Sequence, residues 1–251
     1  MSRCSVASME ARVETTQLPL TGLANRRRRL YPNPDSAKEK AGDPRLRHAQ
    51  ISLNPNDRLT ILYGHPLVSR LSLYAATDRA LAGEPVVYLD GAHTFDPFVM
   101  GRLARARRQQ PRKVLAMIHV ARAFSGHQME RLMSNCLAGA LDRYQARTAV
   151  ISGLFEALSD DTASDREISR LSDRMLESIR HLTQQGFSLL CPCPAIPMAT
   201  APGHQLFTGL RNLADRVIRV QEVQGNVLLE EERLGAEQSA SPTDISTAVI
   251  T

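Results

Sequence analysis

From residue 59 onward the chain alternates short apolar runs with amphipathic stretches. Leu59–Tyr63, Val86–Leu89, Val114–Val120, Thr148–Ile151 and Phe187–Leu190 read as strands. Their apolar residues are continuous rather than alternating, which suits a parallel sheet covered on both faces. Between them, Met129, Leu132, Met133, Cys136, Leu137, Ala140 and Leu141 recur at three- and four-residue spacings and predict a helix over 127–141. Ile168, Leu171, Met175, Ile179 and Leu182 predict another over 165–184. Ser164-x-x-Glu167 matches a capping box at its start, and Gly186 supplies its stop. Val217–Val220 and Val227–Leu229 flank Gln224-Gly225-Asn226 as a closing hairpin. The expected fold is α/β: a mainly parallel sheet flanked by helices, with a C-terminal β-hairpin.

Outside this region the pattern fades. Residues 1–50 carry prolines, glycines and polar residues with little apolar periodicity, and they read as a flexible basic segment with ten Lys and Arg against five acids. Residues 51–232 form the expected core domain, and 233–251 read as a disordered tail. The stretch 223–251 holds five acids against one Arg. The Arg26, Arg27, Arg28, Arg29 run can meet phosphates or an acidic partner, or lie solvated in a linker.

Composition narrows the class. A chain of 251 residues with 43% hydrophobic content can bury a sizeable core. Its apolar runs are too short and charge-interrupted to span a membrane, and residues 1–20 lack the apolar centre of a signal peptide. Four cysteines, Cys4, Cys136, Cys191 and Cys193, are too few and scattered for a disulfide framework, which points to a reducing cytoplasm. Cytoplasmic localisation is the expectation, with no membrane partner.

In a sheet of this kind the first strand often feeds a phosphate-binding loop. Here Leu59–Tyr63 leads into Gly64-His-Pro-Leu-Val-Ser69-Arg70-Leu71. Against G-x-x-x-x-G-K-[ST] only Gly64 matches. Ser69 replaces the second glycine, Arg70 the lysine, and Leu71 the hydroxyl that would hold magnesium. Arg70 can still pair with a phosphate through its guanidinium, so ATP is at most a weak ligand here.

Two later segments carry a resemblance. Tyr88-Leu-Asp-Gly-Ala-His-Thr-Phe95 closes the second strand, and Ala121-Arg-Ala-Phe-Ser-Gly-His-Gln128 follows the third. Together they resemble the ATPase core of the RecA/RadA recombinase family, nearer its archaeal and eukaryotic branch, where Y-I-D-T-E-G-T-F and A-R-A-F followed by H-Q stand at these places. The resemblance runs from about Leu53 to Val220, and the second segment is one residue shorter than the family's between Phe124 and His127. It implies a RecA-like core whose nucleotide motifs are degenerate. Ala92 stands where the family has the glutamate that activates water. Ser152 stands for the magnesium-supporting aspartate, and Pro192 and Cys193 for the γ-phosphate-sensing Asn-Gln pair. Metal, cradle and oriented water act together in phosphoryl transfer. The resemblance therefore implies a pseudo-ATPase with no catalytic residues: a non-hydrolysing accessory or regulatory protein in DNA recombination, repair or the DNA-damage response. Its partner would be a recombinase or another repair factor. No Phe-x-x-Ala segment of the kind that links family neighbours occurs in residues 1–50.

Other candidate chemistry is thin. Cys191-Pro-Cys193 with His204 makes only three possible metal ligands, so no metal is expected. Asp160, Asp161 and Asp165 precede a helix, where acids complement its dipole. Arg102, Arg105 and Arg108 recur at three-residue steps on one expected helical face, with Arg112 and Lys113 beyond its end. This stripe can bind nucleic acid or an acidic partner, or be a solvated face paired with the protein's own acids. The family's DNA-contacting loops would fall at Ser159–Ser164, short and acidic, and Pro194–His204, rich in Pro and Ala. Three rival functions stay open: a divergent DNA-dependent ATPase with groups supplied in trans, a nucleotide-independent DNA-binding module, and a scaffold unrelated to DNA.

Overall fold

The computed structural model describes residues 57–158, 164–194, 201–223, 226–232 and 247–249. Seven of its strands follow from the apolar runs: β1 (Leu59–Tyr63), β2 (Val86–Asp90), β3 (Ile118–Arg122), β4 (Thr148–Ser152), β5 (Ser188–Cys193), β6 (Arg216–Val223) and β7 (Asn226–Glu232). With β8 (Thr247–Val249) they form one sheet in the order β3-β2-β4-β5-β1-β6-β7-β8. The first six of these are parallel, β7 adds antiparallel to β6, and β8 adds antiparallel to β7. The expected α/β class, parallel sheet and closing hairpin are all present. β8 falls inside the segment expected to lack structure: its three residues, too short a run to register as a strand, gain order only by pairing with β7.

Helices cover both faces. α1 (Leu67–Leu81), α2 (Pro97–Ala106) and α3 (Pro111–Leu115) lie on one side, where Val68, Leu71, Met100 and Val114 pack with Leu62, Tyr88 and Val150. On the other, α4 (Gly126–Arg131), a π-turn (Leu132–Cys136), α5 (Leu137–Arg143), α6 (Asp165–Gln184) and α7 (Ala201–Leu213) place Met129, Leu141, Met175 and Leu206 against Ile61, Leu89 and Ile151. Alternate residues of each strand thus feed two separate cores, as the two-residue period of a pleated strand requires. The capping box is formed in part as expected: the Glu167 N–H donates to Oγ of Ser164 (3.3 Å).

Two expected elements are placed differently. Val114–Val120 is not one strand: Pro111 at the first helical position starts α3, which takes Val114 and Leu115, and the strand begins only at Ile118. One apolar run therefore serves a helix end and a strand start. The Arg102–Arg108 stripe is also broken. α2 ends at Ala106, and Arg108 follows in the left-handed region (φ 56°). Its N–H donates to the Arg105 carbonyl (2.9 Å) and the Gln109 N–H to the Ala104 carbonyl (2.8 Å), the two bonds of a Schellman stop. Arg112 and Lys113 belong to α3 rather than to a loop.

The order of strands sets where ligands could sit. From β1 the chain crosses to β2 over one face through α1, whereas from β5, beside β1, it crosses to β6 over the opposite face through α7. The carboxyl ends of β1 and β5 therefore flank a topological switch point, the usual ligand crevice of open α/β sheets.

Candidate functional site

The crevice is built from the turns after β1, β2, β4 and β5. After β1 the turn is three residues long. Gly64 holds φ 100°, a left-handed conformation, and a Cβ there would lie 3.1 Å from the Val220 carbonyl oxygen on β6. α1 then begins at Leu67, so Ser69, Arg70 and Leu71 sit inside the helix rather than in a loop before it. Leu71 is fully buried in the core. Leu71 is therefore a packing residue of the core rather than a group open to the crevice.

The donors of this helix start are already occupied. The Leu67 N–H donates to Nδ1 of His65 (3.1 Å), the Val68 N–H to the His65 carbonyl (3.0 Å) and the Ser69 N–H to the Pro66 carbonyl (3.4 Å). Accepting at Nδ1 assigns the ring proton of His65 to Nε2, which lies 3.4 Å from Oε2 of Glu222. A phosphate cradle needs such N–H groups pointing outward, and here His65 and the turn itself take them.

Ser69 and Arg70 do come together with residues from the β2 side. They line an open pocket of about 430 Å³ with His65, Leu73, Thr94 and Asp96. Asp96 is committed as the cap of α2, accepting from the N–H groups of Phe98 (2.8 Å) and Val99 (3.2 Å).

Ala92 and Ser152 meet beneath the crevice. Ser152 ends β4, fully buried, and its carbonyl accepts from the Gly91 N–H (2.8 Å). Gly153 (φ 83°) then presses on the backbone of Gly91 and Ala92, so the turns after β2 and β4 are closed onto each other. Cys193 ends β5, paired with Tyr63 across the switch point and fully buried. Its thiol donates to the Cys191 carbonyl (3.7 Å). Burial pushes the Cys193 thiol well above its ordinary range and that of Cys191 up to about 12, so both stay protonated and unreactive. β4 stops pairing with β5 at Leu190, two residues before Pro192, which has no N–H to give.

Sequence reasoning passed over one pair. Asp90 ends β2 and is completely buried, yet its carboxylate is well partnered. It accepts from the N–H of Thr94 (2.9 Å) and of Phe95 (3.3 Å), and Nε of Arg122 lies 3.3 Å away. Asp90 and Arg122 are direct partners in the parallel register of β2 and β3, so an acid and an arginine ending consecutive apolar runs was the available signal. Beside them, Thr94 and Ser152 bring their hydroxyls to 3.4 Å, and Ser72 and Tyr88 to 3.2 Å. Burial raises the Tyr88 phenol above its ordinary range.

The segment after β3 has a local structural cause. Ser125 caps α4 by accepting from the Gln128 N–H (3.3 Å), while Oε1 of Gln128 accepts from the Phe124 N–H (2.8 Å). Arg122 belongs to the Asp90 pair, and His127 lies 3.2 Å from Glu167. Phe124 itself is 74% exposed and its ring packs 4.7 Å from that of His93.

The basic residues are not part of the crevice. Arg102 and Arg105 lie on α2, Arg108 on its stop, and Arg112 and Lys113 on α3. Arg26, Arg27, Arg28 and Arg29 lie outside the described residues, as do most of the two loops expected after β4 and β5. Among the described residues no group of three or more His, Cys, Asp or Glu converges as a metal site, and no helix is long and apolar enough to cross a membrane. No family model matches the chain, and no curated protein matches it in sequence.

Proposed function

We propose that this protein is a non-hydrolysing RecA-like accessory factor of DNA recombination, repair or the DNA-damage response, working in the cytoplasm through contacts with a recombinase or another repair factor. The resemblance of the segments around Asp90 and Arg122 to the RecA/RadA core motivates the pathway. The observation that carries the non-hydrolysing part is the start of α1: its first three N–H groups are bonded to His65 and Pro66, and Leu71 occupies the core. Ala92, Ser152 and Cys193 replace the groups that would orient water, hold magnesium and sense the γ-phosphate, and Ser152 and Cys193 are buried. Each such loss removes orders of magnitude from phosphoryl transfer, and the parts act as a unit.

The test is ATP turnover and binding by the purified chain with magnesium, with and without single-stranded DNA. No hydrolysis above background and no magnesium-dependent affinity are expected. DNA-stimulated hydrolysis that disappears in Arg70→Ala would overturn the reading and leave a divergent ATPase.

A further inference from the structure

The strongest unassigned feature is the flank formed by α2, its stop and α3. Between Asp96 and Glu130 the sequence has no acid and seven Arg and Lys. Such a stretch often neutralises itself against acids from neighbouring elements, and the fold allows this only twice. Arg107 lies 3.4 Å from Asp78 on α1, and Arg122 is bound to Asp90. Arg102, Arg105, Arg108, Arg112 and Lys113 form no ion pair among the described residues; all but the half-buried Arg102 are exposed. Asp96 is committed to capping α2, and Glu84, before β2, is held by Arg79 at 2.8 Å.

Aromatic surface lies at the head of the same flank. Phe98, in the first turn of α2, is 78% exposed, and Arg102 and Arg105 follow it at i+4 and i+7, the same side of the helix. Phe124, with His93 against it, stands at the same edge of the sheet. Phe98 thus presents an apolar ring face on the same side of α2 as two arginines that make no ion pair among the described residues, a combination that fits a ligand with both flat apolar faces and repeated negative charge. An acidic peptide supplies the charge without the flat faces, whereas a single-stranded nucleic acid supplies both.

We infer that the α2–α3 flank binds single-stranded nucleic acid, stacking bases on Phe98 and pairing phosphates with Arg102, Arg105, Arg108, Arg112 and Lys113. α2 alone is roughly 15 Å long at 1.5 Å per residue. That length, with the α3 cations alongside it, accommodates a short site of about four or more nucleotides. Contacts of this kind read no base edges, so binding is sequence-tolerant and steeply salt-dependent.

The inference deepens the accessory role proposed above and rests on it, but it needs no nucleotide cofactor, so the two fail separately. The experiment is fluorescence anisotropy of a labelled oligo-dT with the full chain, between 50 and 200 mM salt, without and with Mg-ATP. With about four phosphates neutralised, affinity should fall roughly 50-fold across that range. Arg105→Ala with Arg108→Ala, both at exposed unpaired side chains, should weaken binding at least about tenfold and flatten the salt dependence. Phe98→Ala should weaken oligo-dT roughly tenfold while leaving duplex binding unchanged. The inference is overturned by no binding at 50 mM salt. It is overturned equally by binding lost on substitution of Arg26 to Arg29 and untouched by the α2 variants. Displacement of the oligonucleotide by poly-glutamate at equal charge would make this an acidic-protein surface instead. Binding that requires Mg-ATP would strike the non-hydrolysing reading, whichever surface is used.

Discussion

The backbone of Gly153 packs so closely on that of Ala92 that a methyl group on Gly153 would lie 2.0 Å from the Ala92 nitrogen and 2.3 Å from the Gly91 carbonyl carbon. Backbone cannot yield as a side chain can, and φ at Gly153 is 83°, a conformation that costs any residue with a Cβ. Gly153→Ala is expected to destabilise the fold by about 3 kcal/mol or more, read as a shift of the urea midpoint. An unchanged midpoint would show that the turns after β2 and β4 are free to separate, and with them the floor of the crevice.

His65 offers a gentler perturbation. Its ring fills the role of an N-cap for α1, whose cap position, Pro66, offers no side-chain hydrogen bond and whose first turn has no acid. His65→Ala should cost about 1 kcal/mol, the usual worth of a cap. It should not create ATP affinity, because the Val68 and Ser69 N–H groups stay bonded to backbone carbonyls. Appearance of magnesium-dependent nucleotide binding in this variant would show that the imidazole alone closes the site.

Attempts to rebuild the phosphate loop should fail for a packing reason. Leu71 is fully buried beside Leu62, Tyr88 and Leu190. Leu71→Thr removes apolar volume and buries a hydroxyl, so a loss of about 2–4 kcal/mol is expected, with no gain of hydrolysis even alongside Arg70→Lys. Calorimetry of the variant against wild type decides it.

Most of this fold was legible because buried parallel strands leave continuous apolar runs: Leu59–Tyr63 and Thr148–Ile151 mark β1 and most of β4 directly. The run Val114–Val120 misled because a helix end and a strand start, both buried, have the same apolar character, and only Pro111 marks the difference. At the site, the strand ends Ser152 and Cys193 could be placed from the ends of their apolar runs. What could not be read was the register that sets Asp90 beside Arg122, or the left-handed turn at Arg108, since both depend on where neighbouring elements stop.

The acid side of the stability profile should carry the mark of His119. Its ring stacks on Tyr144, centroids 3.5 Å apart, and burial lowers its pKa below the ordinary imidazole value of about 6.5. The unfolded chain therefore binds the proton more readily than the folded one. Stability is fully present above pH 6.5 and is lost as pH falls through the window below it. Wild type should lose stability as pH falls below about 6.5, and His119→Gln should lose less over the same acid range, as followed by denaturant midpoints. Equal slopes in the two proteins would remove His119 as the cause.

Arg108 ties stability to the inferred binding surface. A non-glycine residue in the left-handed region costs about 1 kcal/mol relative to glycine, and the Schellman bonds through Arg108 and Gln109 need that conformation whatever the side chain. Two other helix stops use glycine, Gly83 after α1 and Gly186 after α6, and one uses Gln145 (φ 54°) after α5. Arg108 makes no ion pair among the described residues, so nothing in its side chain compensates the strain. Arg108→Gly is therefore expected to stabilise the protein by about 0.5–1 kcal/mol in urea denaturation while weakening oligo-dT binding severalfold. Opposite movement of the two measurements is what a side chain kept for an external ligand produces. A variant that gains stability and keeps full affinity would detach Arg108 from the nucleic-acid surface, and one that loses stability would mean the arginine supports the turn itself.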